Sequence, residues 1–147
     1  MLISFSDLEI YELQEIANQG LLKLNILFNE DVNSIDFLKL KTKNIPDYEK
    51  KATLEIQTLS MEKVIRSLDY GNVFKKEKLK VSDDMRELIK VIEDNNKIIP
   101  PFIININGQK WTIMDGHHRI DLMNYLEIQN APFLIRKVNH LAAKNLI

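Results

Sequence analysis

At 147 residues, 45% hydrophobic and 28% charged, the chain has the size and composition of one ordinary soluble domain with a core of its own. The absence of cysteine excludes disulfides, thiol catalysis and thiolate metal sites, zinc fingers and ribbons included. A net charge of −1, from 20 Lys+Arg and 21 Asp+Glu, argues against bulk DNA or RNA binding.

The first basic residue is Lys23, so the N-terminus lacks the positive start of a signal peptide. No uncharged apolar stretch approaches the roughly 18 residues that a membrane span needs. A cytoplasmic location without membrane attachment is the expectation. Residues 1–50 carry −4 and residues 51–147 carry +3. Such a split suits a small anionic ligand on the second part, and is equally what chance among solvated side chains produces.

Ser6 and Glu9 form a capping-box pattern and Gly20 supplies a stop, which predicts a first helix over residues 7–18. Residues 21–28 are apolar apart from Lys23 and Asn25 and fit either a buried strand or more helix. Residues 31–40 are equally ambiguous. Pro46 and dense charge make residues 42–51 a linker, so the chain divides into a 1–50 extension and a 51–147 main domain.

Beyond that boundary the patterns sharpen. Residues 53–58 alternate as a strand. Met61, Val64, Ile65 and Leu68 form the stripe of a helix that Ser60 caps and Gly71 ends. Lys75, Lys76, Lys78 and Lys80 read as a solvated loop or as a basic rim near an anion site. Ser82 caps a second striped helix carrying Met85, Leu88, Ile89 and Ile92, closed by Asn95 and Asn96. After Pro100 and Pro101, residues 102–106 and 110–114 form a hairpin across Asn107 and Gly108. Ile120, Met123 and Leu126 mark another helix, Pro132 ends the connection after it, and residues 133–138 make a final strand.

Between the hairpin and that helix lies Asp115-Gly116-His117-His118-Arg119. A strand that turns through glycine into a helix leaves backbone N–H groups unpaired where the helix dipole favours an anion. Gly116 permits the tight turn and a close ligand approach. Arg119 offers a fork matching phosphate oxygens. His117 and His118 diverge around the axis, so one faces the ligand and the other orients the loop; His118 is taken as the donor. Asp115 beside a phosphate implies either an intervening divalent cation or a hydrogen bond from a second substrate. Phosphoryl transfer uses both, through Mg²⁺ and a base that orients the nucleophile. The bland account is that Asp115 caps the helix and its neighbours are surface residues of the first turn. A transition-metal site on Asp115, His117 and His118 lacks converging ligands from other elements, the remaining histidine being His140 near the C-terminus.

The run Ile99-Pro100-Pro101-Phe102-Ile103-Ile104, followed by Trp111-Thr112-Ile113-Met114 and the Asp-Gly-His-His-Arg motif, resembles the ParB/sulfiredoxin superfamily over residues 98–137. The resemblance implies an α+β fold, a small mixed sheet with helices, to which residues 1–50 add an N-terminal helical elaboration. It also implies a nucleotide (ADP, ATP or CTP) held through its phosphates by Gly116, His117, His118 and Arg119, with Mg²⁺ at Asp115. Within the superfamily the motif is most similar to the free serine kinases, which phosphorylate a small hydroxyl substrate. That likeness implies catalytic roles for Asp115 and His118, and for Glu62 in the stretch Leu59-Ser60-Met61-Glu62. His117 stands where sulfiredoxin has its reactive cysteine, so sulfinic-acid repair is ruled out. The chain has no room after residue 138 for the DNA-reading domain of the partition proteins, and Glu127 stands where a glycine usually follows the motif helix.

The expected function is nucleotide-phosphate binding, with Mg²⁺-dependent phosphotransfer or nucleotide hydrolysis as its enzymatic form. The alternative is a non-catalytic ParB-like nucleotide sensor or adaptor of a plasmid, phage or mobile element, docking a protein partner through residues 1–50. A ParB-like nuclease is the least attractive reading, and direct nucleic-acid binding is not expected.

Overall fold

The computed structural model describes residues 4–35, 53–106, 108 and 110–147. The expected linker at 42–51 and the end of the 31–40 segment lie outside these residues, as does Asn107 of the hairpin turn. The fold is α+β, with a four-stranded mixed sheet and five α-helices among the described residues. The helices are α1 (Ile10–Asn18), α2 (Met61–Ser67), α3 (Asp83–Glu93), α4 (His117–Tyr125) and α5 (His140–Ala143); the strands are β1 (Leu54–Ser60), β2 (Phe102–Ile106), β3 (Lys110–Asp115) and β4 (Asn130–Arg136). None of the helices is long and apolar enough to cross a membrane.

The sheet order is β1-β4-β2-β3. β4 pairs antiparallel with β1 along its length and parallel with β2 at Phe102 and Leu134. Alternation sorts its side chains: Ala131, Phe133 and Ile135 enter one core, Leu134 the other. The first core lies between the sheet and α2, α4 and α5; the second, with Ile35, Leu54, Phe102 and Ile104, covers the opposite face. β4 begins at Asn130 and ends at Arg136, so the strand expected over 133–138 is shifted toward the N-terminus and includes Pro132. Proline fits there because Leu134 N–H, two residues on and pointing the same way, bonds to Pro101 carbonyl (2.8 Å), where β2 is only about to begin. Among the described residues no strand neighbours Pro132 on that side to receive a donor.

α4 is the axis of the molecule. Its Ile120 and Met123 join the sheet core, while Leu122 and Tyr125 join a third cluster with Leu13, Ala17 and Leu22 of the N-terminal segment and Met85, Ile89 and Ile92 of α3. The striped positions of α2 and α3 face the core as expected, and Ser60 and Ser82 accept from Lys63 N and Met85 N as caps. α2 stops at Ser67; Gly71 opens a separate 3₁₀ turn rather than ending the helix.

α1 starts later than expected. Its capping box is Glu9 with Glu12, because Ser6 is engaged elsewhere. The Glu93 carboxylate at the end of α3 accepts from Ser4 Oγ (2.6 Å), Phe5 N (2.9 Å) and Ser6 N (2.8 Å), which curls residues 5–7 into a 3₁₀ turn. Gln14 bridges α1 to the body by donating to Leu79 carbonyl and accepting from Val81 N, and Tyr125 Oη donates to Ala17 carbonyl. Residues 21–28 are neither helix nor regular strand; among the described residues their one ladder contact is the bridge from Phe28 to Ile98. Leu22 is buried and Ile26 and Phe28 pack against the core, whereas Leu21 and Leu27 are exposed.

Candidate anion-binding site

β3 delivers the chain to Asp115 opposite Phe102, with a register shift between Phe102 and Ile103. Such an irregularity bends a strand end and re-aims its last side chain. Gly116 follows with φ 105° and ψ 26°, and a Cβ there would sit 2.9 Å from both Cα and Cβ of Pro101. Glycine is therefore required twice over, by the left-handed backbone and by the wall beside it. Gly116 is the N-cap of α4 and brings no side-chain acceptor. The first helical donor with a partner is Ile120 N, bonded to Gly116 carbonyl (2.9 Å); among the described residues nothing accepts from the N–H groups of His117, His118 and Arg119. These open into a cleft of about 510 Å³ lined by residues 113–119 and by Asp84 and Leu88 of α3.

Asp115 does not cap the helix. Its Oδ2 lies 3.1 Å from Arg119 Nη2, with both side chains largely buried. Arg119 Nη1 donates to the carbonyls of Ile99 and Pro100. The guanidinium thus staples the first turn of α4 to the strand end before it and to the prolyl segment leading into β2. Burial lowers the Arg119 pKa against the opposing pull of Asp115, and the group stays a cation throughout. The fork expected to clasp phosphate is occupied by this staple, and the Asp115 charge is balanced inside the protein.

Among the described residues the two imidazoles of the turn have no hydrogen-bond partner. His117 and His118 are exposed and diverge, their rings 6.1 Å apart and edge-to-face. His117 leans on Phe74, ring centres 4.8 Å apart. Burial, and then the neighbouring His118, lower the His117 pKa below the ordinary imidazole value, so it is neutral at pH 7 and donates through one ring nitrogen. Asp121, one turn beyond His118, is half-buried; desolvation pushes its pKa up to about 6, with His118 opposing.

The remaining candidates lie elsewhere. Glu62 is exposed on α2, paired with Arg66 (3.1 Å), and lines a separate cleft with Lys76, Asn124 and Glu127. The fold does not bring it to Asp115. Lys75, Lys76, Lys78 and Lys80 are exposed, and none lines the cleft at α4. His140 bonds Glu55 (3.0 Å) and Gln57 (2.7 Å) on the outer strand β1. No group of three or more His, Asp and Glu side chains that could hold a metal gathers among the described residues. Among the described residues the carboxylates lining the cleft are Asp84 and the Arg119-paired Asp115.

Asp84, Asp121 and the carbonyls of Ile99 and Pro100 were not singled out in the sequence. Asp121 was findable, lying three residues after His118 and so on the same helical face. Asp84 was not, because its approach depends on α3 packing against α4. No family model, curated protein or solved structure matches this chain.

Proposed function

We propose that this chain is a ParB/sulfiredoxin-like nucleotide-binding protein that holds nucleotide phosphates at the N-terminus of α4. The observation that carries the reading is the row of N–H groups at residues 117–119, unpaired and uncapped among the described residues and opening into a cleft flanked by two exposed imidazoles. Asp115 poses no electrostatic obstacle, because Arg119 neutralises it before a ligand arrives. In this reading the N–H groups and His118 contact phosphate oxygens, His117 walls the site, and Arg119 keeps the turn in shape. The resemblance over residues 98–137 supports the same ligand class.

Group transfer is the second reading, favoured by the two carboxylates, Asp84 and Asp115, at one cleft. Mg²⁺ binds through one or two carboxylates and phosphate oxygens, so a cation between Asp84 and the phosphates would offset their charge, with Asp115 joining it only where its pairing with Arg119 opens. ADP, ATP and CTP should raise the melting temperature, and His118→Ala should diminish the effect. Binding that persists in EDTA, with no phosphate release, favours the sensor or adaptor form. Turnover that needs Mg²⁺ and is lost in Asp115→Asn favours the enzyme. If none of the three nucleotides shifts the melting temperature, the phosphate reading fails.

A further inference from the structure

We propose that the apolar cleft on the far side of His117 seats the nucleotide's base, whose edge is read by the main chain of Ile113. The inference rests on the phosphate site above and names the part of the ligand that site leaves unplaced. This cleft, about 410 Å³, is walled mainly by Leu68, Tyr70, Val73, Phe74, Trp111 and His117; Asp69 and Thr112 also line it, with the Thr112 hydroxyl donating to the Asp69 carboxylate (3.0 Å). Ile113 and His117 also line the phosphate cleft, so the two spaces adjoin across His117, and a nucleotide held by its phosphates would reach the second past that ring.

β3 is an edge strand, and its outer side is only partly covered. Leu68 bridges to Trp111, and Asp69 N donates to Trp111 carbonyl (3.1 Å). Trp111 therefore points its main-chain groups outward. Asn105, its partner on β2, agrees: its N–H and carbonyl are taken by Asn139 on the opposite side. In an antiparallel ladder this direction repeats every second residue, so Ile113 also presents its N–H and carbonyl outward. No described residue outside the ladder pairs with them.

The cleft thus combines apolar walls, an exposed aromatic ring in Tyr70 (76% exposed) and one main-chain donor beside one acceptor. That is the complement of a heteroaromatic ring, apolar on its faces and carrying a donor and an acceptor on its edge. An aliphatic ligand would leave the donor and acceptor of Ile113 unpaired. An added peptide strand would need the outward groups of Trp111 as well, and the carbonyl among them already accepts from Asp69.

Titration calorimetry with ADP, ATP and CTP against pyrophosphate and tripolyphosphate tests the assignment, using wild type, Tyr70→Ala and Val73→Asp. Both substituted positions are exposed, so the core is left intact. The tightest nucleotide should outbind the oligophosphate of equal phosphate number by about tenfold, the scale of one stacked base, and each variant should remove most of that margin. Oligophosphate affinity should not change. Equal affinity of nucleotide and oligophosphate for wild type, or variants that weaken both alike, would overturn the base seat and leave the phosphate site standing. If wild type binds neither ligand, the phosphate site itself is wrong and the base seat falls with it.

Discussion

Gly116→Ala tests the most constrained point of the turn, and the structure supplies its own control. An alanine at φ 105° pays the left-handed penalty, about 1–2 kcal/mol. Its Cβ would also lie 2.9 Å from two atoms of Pro101 and 3.2 Å from Arg119 Cζ. Pro101 is buried, so it cannot simply move aside, and overpacking of this kind adds about 1–3 kcal/mol. The expected loss is about 2–5 kcal/mol on those two figures. Gly20 also has positive φ, +70°, but a Cβ there meets nothing within 4 Å. Gly20→Ala should therefore lose only the conformational part, about 1–2 kcal/mol. Urea denaturation of both variants separates backbone from packing. If Gly116→Ala is no more destabilising than Gly20→Ala, the close approach to Pro101 is not a constraint on the turn.

Other consequences follow from single contacts. Arg119→Met should destabilise by about 2–4 kcal/mol, because it strands a largely buried carboxylate and two carbonyls; a double-mutant cycle with Asp115→Asn should show strong coupling, and additive losses would contradict the staple. Glu127 follows α4 at φ 59°, where Glu127 N and Ile128 N close the helix on Asn124 and Met123 carbonyls, so Glu127→Gly should stabilise by about 1 kcal/mol in thermal or urea melts. Burial raises the Glu93 pKa, but the bonds from Ser4, Ser6 and Phe5 outweigh it and the net shift is downward. That stability is present above the ordinary carboxylate range and lost as pH falls through the lowered value, so the deficit of Glu93→Gln should shrink in acid and not at pH 7. Asp121 has the opposite sign: with its pKa raised to about 6, its ionisation opposes folding as pH rises from 4 to 8, and Asp121→Asn should gain stability relative to wild type over that interval. A gain independent of pH would mean that Asp121 is not desolvated.

The elements with a strong local signal were legible. The stripes of α2 and α3, their serine caps and the hairpin strands follow from spacing alone, because each helix buries one face and each cap acts on a neighbour three residues away. α4 was harder. It is buried on two sides, and periodicity gave one face of Ile120, Met123 and Leu126, of which Leu126 packs with Leu122 and Tyr125 against the cluster shared with α1 and α3, distant in sequence. The start of α1 was missed for a similar reason, since Ser6 serves Glu93 some 87 residues away. At the site, the Asp115-Gly116-His117 turn was visible as a turn. What its side chains do was not: Arg119 reaches back to residues 99 and 100, and no local rule gives that direction. Glu127 took the left-handed position at the helix end without the glycine usual there, where the helix-closing hydrogen bonds of Glu127 N and Ile128 N hold the turn against residue preference.

The placement of α4 between two apolar clusters bears on kinetics as much as on architecture. A helix wedged in this way cannot tilt or fray at its middle without opening both interfaces, so the amides of Ile120 to Tyr125 should exchange with solvent only through global unfolding. The uncapped N–H groups at its start ride on that anchored frame. A ligand meeting them finds its donors already aligned, and its association should be a single exponential, linear in ligand concentration, with no preceding conformational step.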